Sequence, residues 1–292
     1  MVNRESTGQA TELDIFVKTT LKPLVKTSLV LQAFKKVDRG NFAPEEYREF
    51  AYKDEAIDLT RSSSISQPSV VAIMVDHLGL TGKERVLEIG TASGFCAAII
   101  SQCSSHVDTM EIDEDLARES SERLRNLGYT NISVHVGDGA LGLPTEKPFD
   151  AIIVTASVKS IPSALLDQLA DGGKIVIPVG EDSPTRSQLI EGKKEDGKMS
   201  FSKIADVSFY PLVSSQEGGW SIEEVSELFS LREGRMKMLK EMKNQPDLQQ
   251  LLNNILKTLT EIAGRPITSA DEANEFLKQN PQILEDLDKP KT

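Results

Sequence analysis

The sequence predicts an α/β protein of the doubly wound kind: a mostly parallel sheet with an antiparallel C-terminal strand pair, followed by a small C-terminal helical extension. Three observations carry that reading. The stretch Arg85 to Gly94, RVLEIGTASG, is an apolar run that ends in a small-residue loop and leads into the apolar helical run FCAAIISQC, Phe95 to Cys103, which is how a parallel strand delivers a turn to a helix N-terminus. Short apolar-rich runs then recur at His106 to Glu111, Ile132 to Val136, Asp150 to Thr155 and Lys174 to Val179. Finally, Asp196-Gly197 separates the runs Gln188 to Ile190 and Ser200 to Ile204, a hairpin signal that makes the last pair antiparallel.

The remaining elements follow in order. Thr11 to Thr19 and Pro23 to Val37 carry apolar residues at helical spacing, with Gly40 ending the second stretch, and both are expected to wall a cleft at the sheet edge. A serine-rich approach then leads to Ser66, and Pro68 opens a helix to about Leu80, since proline suits a first helical turn. Ile161 to Leu169 reads as a helix stopped by Asp171-Gly172-Gly173. Ser214 to Gly219 is a polar, glycine-bearing linker, which divides the chain into residues 1–214 and an extension of residues 220–292. In the extension, Ser221 with Glu224 forms a capping box opening a helix to about Lys243, Asp247 to Ala263 is a second amphipathic helix closed by Gly264, and about Ala270 to Lys278 is a third.

The glycine loop points to a nucleotide-like ligand, because small residues let the backbone approach it while the free N–H groups of the helix start face it. Glu111 ends the next strand about 20 residues on, where a carboxylate meets ribose hydroxyls. A dinucleotide would require Gly-x-Gly-x-x-Gly. Gly90 and Gly94 with Glu88 before them suit S-adenosylmethionine better, and Asp138, in Gly137-Asp138-Gly139, is placed to accept a hydrogen bond from the adenine amine. The cofactor set comprises Glu88, Gly90, Thr91, Ser93, Gly94, Glu111, Ile112, Asp138 and Gly139. The competing reading of Glu111 and Asp138 is a carboxylate capping the next helix.

SISQPSVVAIM (Ser64 to Met74), VLEIGTASGF (Val86 to Phe95), VGDGALG (Val136 to Gly142), PFDAIIVTAS (Pro148 to Ser157), IPSALLDQLADGGKIVIPVG (Ile161 to Gly180) and FYPLV (Phe209 to Val213) closely resemble the protein-L-isoaspartate O-methyltransferases over about residues 11–213. The ISQP segment discriminates, since the glycine loop is common to many methyltransferases. The resemblance implies a Rossmann-like methyltransferase sheet, S-adenosylmethionine as methyl donor, and isoaspartyl-containing proteins or peptides as substrates. It makes Ser66 the active-site serine, donating to the isoaspartyl carboxylate, with Ile65 and Gln67 shaping the same wall. The alternative role of Ser66 is N-cap of the helix opened at Pro68. Ala92 stands where the family has glycine, so a positive φ there carries a steric cost.

The composition excludes other classes. With 292 residues the chain has ample material for a core, and a net charge of −12 opposes a nucleic-acid partner. The N-terminus lacks an apolar signal core and no run approaches a membrane span, so a cytoplasmic protein without a membrane partner is expected. Cys96 and Cys103 read as reduced core thiols, and His77, His106 and His135 as structural side chains rather than metal ligands. A carboxylate nucleophile is ionised at neutral pH, so the chemistry requires positioning and desolvation rather than a general base. The expected function is protein-L-isoaspartate O-methylation that initiates repair through a methyl ester and a succinimide. Two alternatives stay open: a carboxyl methyltransferase dedicated to one partner or precursor peptide, and a non-catalytic binder of isoaspartyl protein. Residues 220–292 are either a stabilising appendage or a module for a protein partner.

Overall fold

A computed structural model describes residues 11–60, 63–180, 183, 186–226, 260 and 264–266. The chain divides into two compact units, Met1–Val225 and Ser226–Thr292. The first opens with a short helix α1 (Glu12–Phe16) closed by a capping box between Thr11 and Asp14, runs on through a π-helical turn (Val17–Leu21), and continues to α2 (Ser28–Lys36). The stretch from Pro23 is not helical throughout. Asp76 accepts the backbone N–H groups of Lys26 and Thr27 at 3.0 and 2.9 Å and the Thr27 hydroxyl at 2.6 Å. These bonds hold Thr27 extended, so the helix begins one residue later.

A two-stranded hairpin, β1 (Ile57–Asp58) and β2 (Ser64–Ile65), precedes α3 (Pro68–Leu78), which ends at the left-handed Gly79. The main sheet then alternates with helices: β3 (Arg85–Ile89), α4 (Phe95–Ser101), β4 (His106–Glu111), α5 (Glu114–Asn126), β5 (Ile132–Val136), β6 (Phe149–Val154), α6 (Ser163–Gln168), β7 (Leu169–Val179), β8 (Ser187–Glu195) and β9 (Lys198–Val207). The strand order is β5-β4-β3-β6-β7-β8-β9, with β5 to β7 parallel and β8 antiparallel to both neighbours. The doubly wound reading and the antiparallel C-terminal pair both hold.

Alternating side chains of β3 feed two cores. Val86 packs with Val75, Ile99, Ile100 and Val107 on one face, and Leu87 and Ile89 pack with Ile152, Leu165 and Ile177 on the other. Both faces are therefore covered, as a parallel sheet requires. Strand order reverses between β3 and β6. Their carboxyl ends, paired at Ile89 and Val154, open the crevice where ligands bind in such sheets.

The predicted linker is folded onto the first unit. Leu212 donates to Ser157 at 2.7 Å and Trp220 to Leu212 at 2.9 Å, and the buried Trp220 ring receives the Lys159 ammonium 4.9 Å from its centroid. The Ser221–Glu224 capping box is present and residues 222–226 are helical. The rest of that helix, and nearly all of the two after it, lies outside the described residues.

Candidate active site

The glycine loop is built from the end of β3 outward. The Gly90 N–H donates to the Met110 carbonyl at 2.8 Å, and Gly94 closes a turn by donating to Thr91 at 2.8 Å. Gly90 has φ of +98°, and a Cβ there would lie 2.5 Å from the Thr155 hydroxyl oxygen. That hydroxyl in turn donates to the Gly90 carbonyl at 2.8 Å, so glycine is required on both grounds. Ala92 adopts φ of +47°, the left-handed conformation expected to be costly for a residue with a side chain. Its N–H donates at 2.8 Å to Glu111, a bond that helps hold it there. Arg123 of α5 steadies the loop from below by donating to the Ser93 carbonyl at 2.9 Å.

Glu111 is buried at the end of β4, with one oxygen on Ala92 and the other accepting the Ile112 N–H at 3.0 Å. Neither contact caps a helix: the cap of α5 is Asp113, whose side chain accepts from Asp115 and Leu116. A longer bond from the Asp113 N–H at 3.3 Å shares the oxygen that takes Ile112, so the carboxylate is held at the strand end with acceptor capacity left on the oxygen that takes Ala92, and Ile112 is half exposed beside it. Asp138 does cap, accepting the Ala140 N–H at 3.0 Å in front of a single 3₁₀ turn. Its second oxygen accepts the Ser214 hydroxyl at 2.7 Å, which ties the strap after β9 to the same edge. Gly139 brings this turn against β3, since a Cβ there would lie 2.3 Å from an Ile89 methyl.

Glu88 lies wholly buried under the loop. One oxygen accepts the Thr109 hydroxyl at 2.6 Å, Thr109 and Thr91 share a 2.7 Å contact, the Cys96 thiol stands beside the carboxyl, and among the described residues the other oxygen has no hydrogen-bond partner. Burial, opposed by Thr109 and Cys96 and reinforced by the charge of Glu111, pushes this carboxyl up from 4.5 to about 7. An acid whose folded pKa is raised binds more protons folded than unfolded. Its contribution to stability is full below about pH 4.5 and is lost as pH rises through about 7, an effect of roughly 3 kcal/mol. In the cofactor-free protein, Glu88→Gln is therefore expected to flatten the fall in Tm between pH 5 and pH 8. A variant whose Tm falls as steeply as the parent's would remove Glu88 from that pH dependence.

Ser66 follows β2, half-buried, and does not cap α3. The N-cap residue is Gln67, whose side chain does not bond the helix N-terminus. Asp54 replaces it, accepting the Ser69 N–H and the Gln67 amide Nε2, both at 2.9 Å. Buried Arg39 donates to the Ser66 carbonyl at 3.1 Å and the Ile65 carbonyl at 3.4 Å. Among the described residues no hydrogen bond engages the Ser66 hydroxyl. Arg39 also stands 5.7 Å from the centroid of Phe95, the residue after Gly94, which brings the ISQP segment beside the glycine loop.

A family model described as protein-L-isoaspartate(D-aspartate) O-methyltransferase matches residues 11–217. The chain belongs to that family. Curated relatives agree. The protein-L-isoaspartate O-methyltransferase of Roseiflexus sp. is 40% identical over 203 residues, covering 70% of this chain and 91% of that protein. Protein-L-isoaspartate O-methyltransferase 1 of Syntrophobacter fumaroxidans is 42% identical over 191 residues, 65% and 87% of the two chains. A solved protein-L-isoaspartate O-methyltransferase superposes with a TM-score of 0.62 at 26% identity, covering 72% of this chain and 67% of its own. The family match ends within the strap after β9, so Trp220 and the 226–292 unit lie beyond it.

The residues missed by the sequence reading are those that act from a distance. Arg39, Asp54, Thr109, Arg123 and Ser214 each support the loop, Ser66 or Asp138 from another element. The histidines are structural contacts, His77 with Glu191 at 2.8 Å and His135 with Asp108 at 2.9 Å. Among the described residues no cluster suited to a metal ion occurs.

Proposed function

We propose that this chain transfers the methyl group of S-adenosylmethionine to the carboxylate of L-isoaspartyl residues in damaged proteins. The observation that carries the site assignment is the Ser66 hydroxyl, unbonded among the described residues, in a segment otherwise hydrogen-bonded and joined through Arg39 to the end of the glycine loop. The residues at the crevice suit the cofactor. Glu111 would offer a fixed acceptor group to a ribose diol, Asp138 with Gly139 and Ile112 would border an adenine, and Gly90, Thr91, Ser93 and Gly94 would allow close backbone approach. The Glu88 oxygen under the loop, unpartnered among the described residues, suits a cationic tail.

When bound, S-adenosylmethionine supplies the methyl group as an electrophile on a cationic sulfur, which an ionised carboxylate accepts without a general base. Ser66 orients that carboxylate by donating its hydroxyl, with Ile65 and Gln67 forming the wall. The backbone nitrogen of the following residue attacks the ester carbonyl and expels methanol to close a succinimide, which water reopens partly as normal aspartate. Two finer points belong to the same proposal. A cytoplasmic location is supported by two free, buried cysteines, Cys96 and Cys103, and a protein partner for residues 220–292 by their position wholly past the family match. The test is methyl transfer to a matched pair of peptides differing only in an isoaspartyl or aspartyl link. Ester formation on the isoaspartyl peptide alone is expected; equal labelling of both, or of neither, would contradict the proposal.

A further inference from the structure

We propose that Arg39 and Asp54 form a two-sided clamp on the ISQP segment and act as positioning residues for substrate, a role that rests on Ser66 being the group that meets the substrate carboxylate. The clamp grips one short run from opposite sides. Arg39 Nη2 takes the carbonyls of Ile65 and Ser66, while the two Asp54 oxygens take the Gln67 amide and the Ser69 N–H. The same guanidinium holds the loop that carries Asp54, donating to the Ala51 carbonyl at 3.1 Å and the Glu55 carbonyl at 2.9 Å. Both jaws therefore hang on one rigid, planar fork, which only arginine provides. In the middle of the gripped run, the Ser66 hydroxyl is bonded by none of the described residues.

Charge argues for more than bracing. Arg39 is 3% exposed, and its hydrogen bonds go to carbonyl oxygens alone, with Asp54 acting on it only through space. Burial lowers its pKa to about 10, offset by Asp54, so it stays cationic at neutral pH. Beside a serine that receives an anionic substrate, the positive field favours the ligand. The contact with Phe95, itself packed edge-on against Phe34 and Phe42, fixes the clamp relative to the cofactor loop.

The test is steady-state methylation of an isoaspartyl peptide by full-length Arg39→Met, Arg39→Lys, Asp54→Ala, Ser66→Ala and Asp54→Ala/Ser66→Ala, with S-adenosylmethionine binding measured on each. Arg39→Met and Asp54→Ala are expected to raise the peptide KM about tenfold or more, with cofactor Kd within about twofold of the parent. Arg39→Lys, which keeps the charge and loses the fork, should recover part of that loss. If Asp54 acts through Ser66, its substitution adds little once Ser66 is alanine, whereas an independent structural role would multiply. An unchanged peptide KM in the folded Asp54→Ala protein, or full multiplication in the double variant, overturns the clamp. If instead Ser66→Ala alone leaves turnover intact, the Ser66 assignment fails, a result distinct from failure of the clamp. Should Arg39→Met not fold, the Asp54 pair decides.

Discussion

Glu111→Ala is expected to weaken S-adenosylmethionine binding by roughly two orders of magnitude. A carboxylate that accepts both hydroxyls of a ribose makes two charge-assisted hydrogen bonds, each worth about 1.5–3 kcal/mol, and the loss of both exceeds a hundredfold in Kd. Glu111 also holds the Ala92 N–H at 2.8 Å, so truncation releases the loop at its strained residue and adds to the loss. Asp138→Ala should act in the same direction by less, because a single adenine amine is at stake. Titration calorimetry on folded variants checks both. Unchanged affinity in Glu111→Ala would remove the ribose from the end of β4.

Ser66→Ala should lower kcat/KM for an isoaspartyl peptide by roughly 10- to 100-fold, the value of one hydrogen bond to a charged group. Cofactor affinity should stay near that of the parent, since the hydroxyl acts on the nucleophile. The structure sharpens this expectation. Asp54, not Ser66, caps α3, so the substitution leaves the helix N-terminus bonded and its Tm close to the parent's. Parent-like turnover would remove Ser66 from the mechanism.

The parallel strands and the carboxylates at their ends were legible in the sequence because buried central strands read as continuous apolar runs, and β3, β4 and β6 are buried along nearly their whole length. The positive φ of Ala92 was legible only through the resemblance, which has glycine at that position. Helix α5 was not. Its buried face is Ala117, Ser120 and Leu124, too small and polar a stripe to register as apolar spacing, and Arg123 was overlooked with it. Asp54 and Ser214 were beyond reach for another reason: their partners Ser69 and Asp138 lie 15 and 76 residues away, and no local pattern announces a contact between loops. The linker reading of Ser214 to Gly219 failed similarly, since polar, glycine-bearing composition marks a turn as readily as a tether, and here it turns Trp220 back onto Leu212.

The central claim is that the methyl donor and the isoaspartyl carboxylate meet at the carboxyl end of β3, between the glycine loop and Ser66. A crystal structure of the full chain with S-adenosylhomocysteine and an isoaspartyl peptide tests it most directly. The account predicts ribose hydroxyls on Glu111 and the isoaspartyl carboxylate within hydrogen-bond distance of Ser66 Oγ; a carboxylate seated away from Ser66, or a nucleoside away from Glu111, would contradict it.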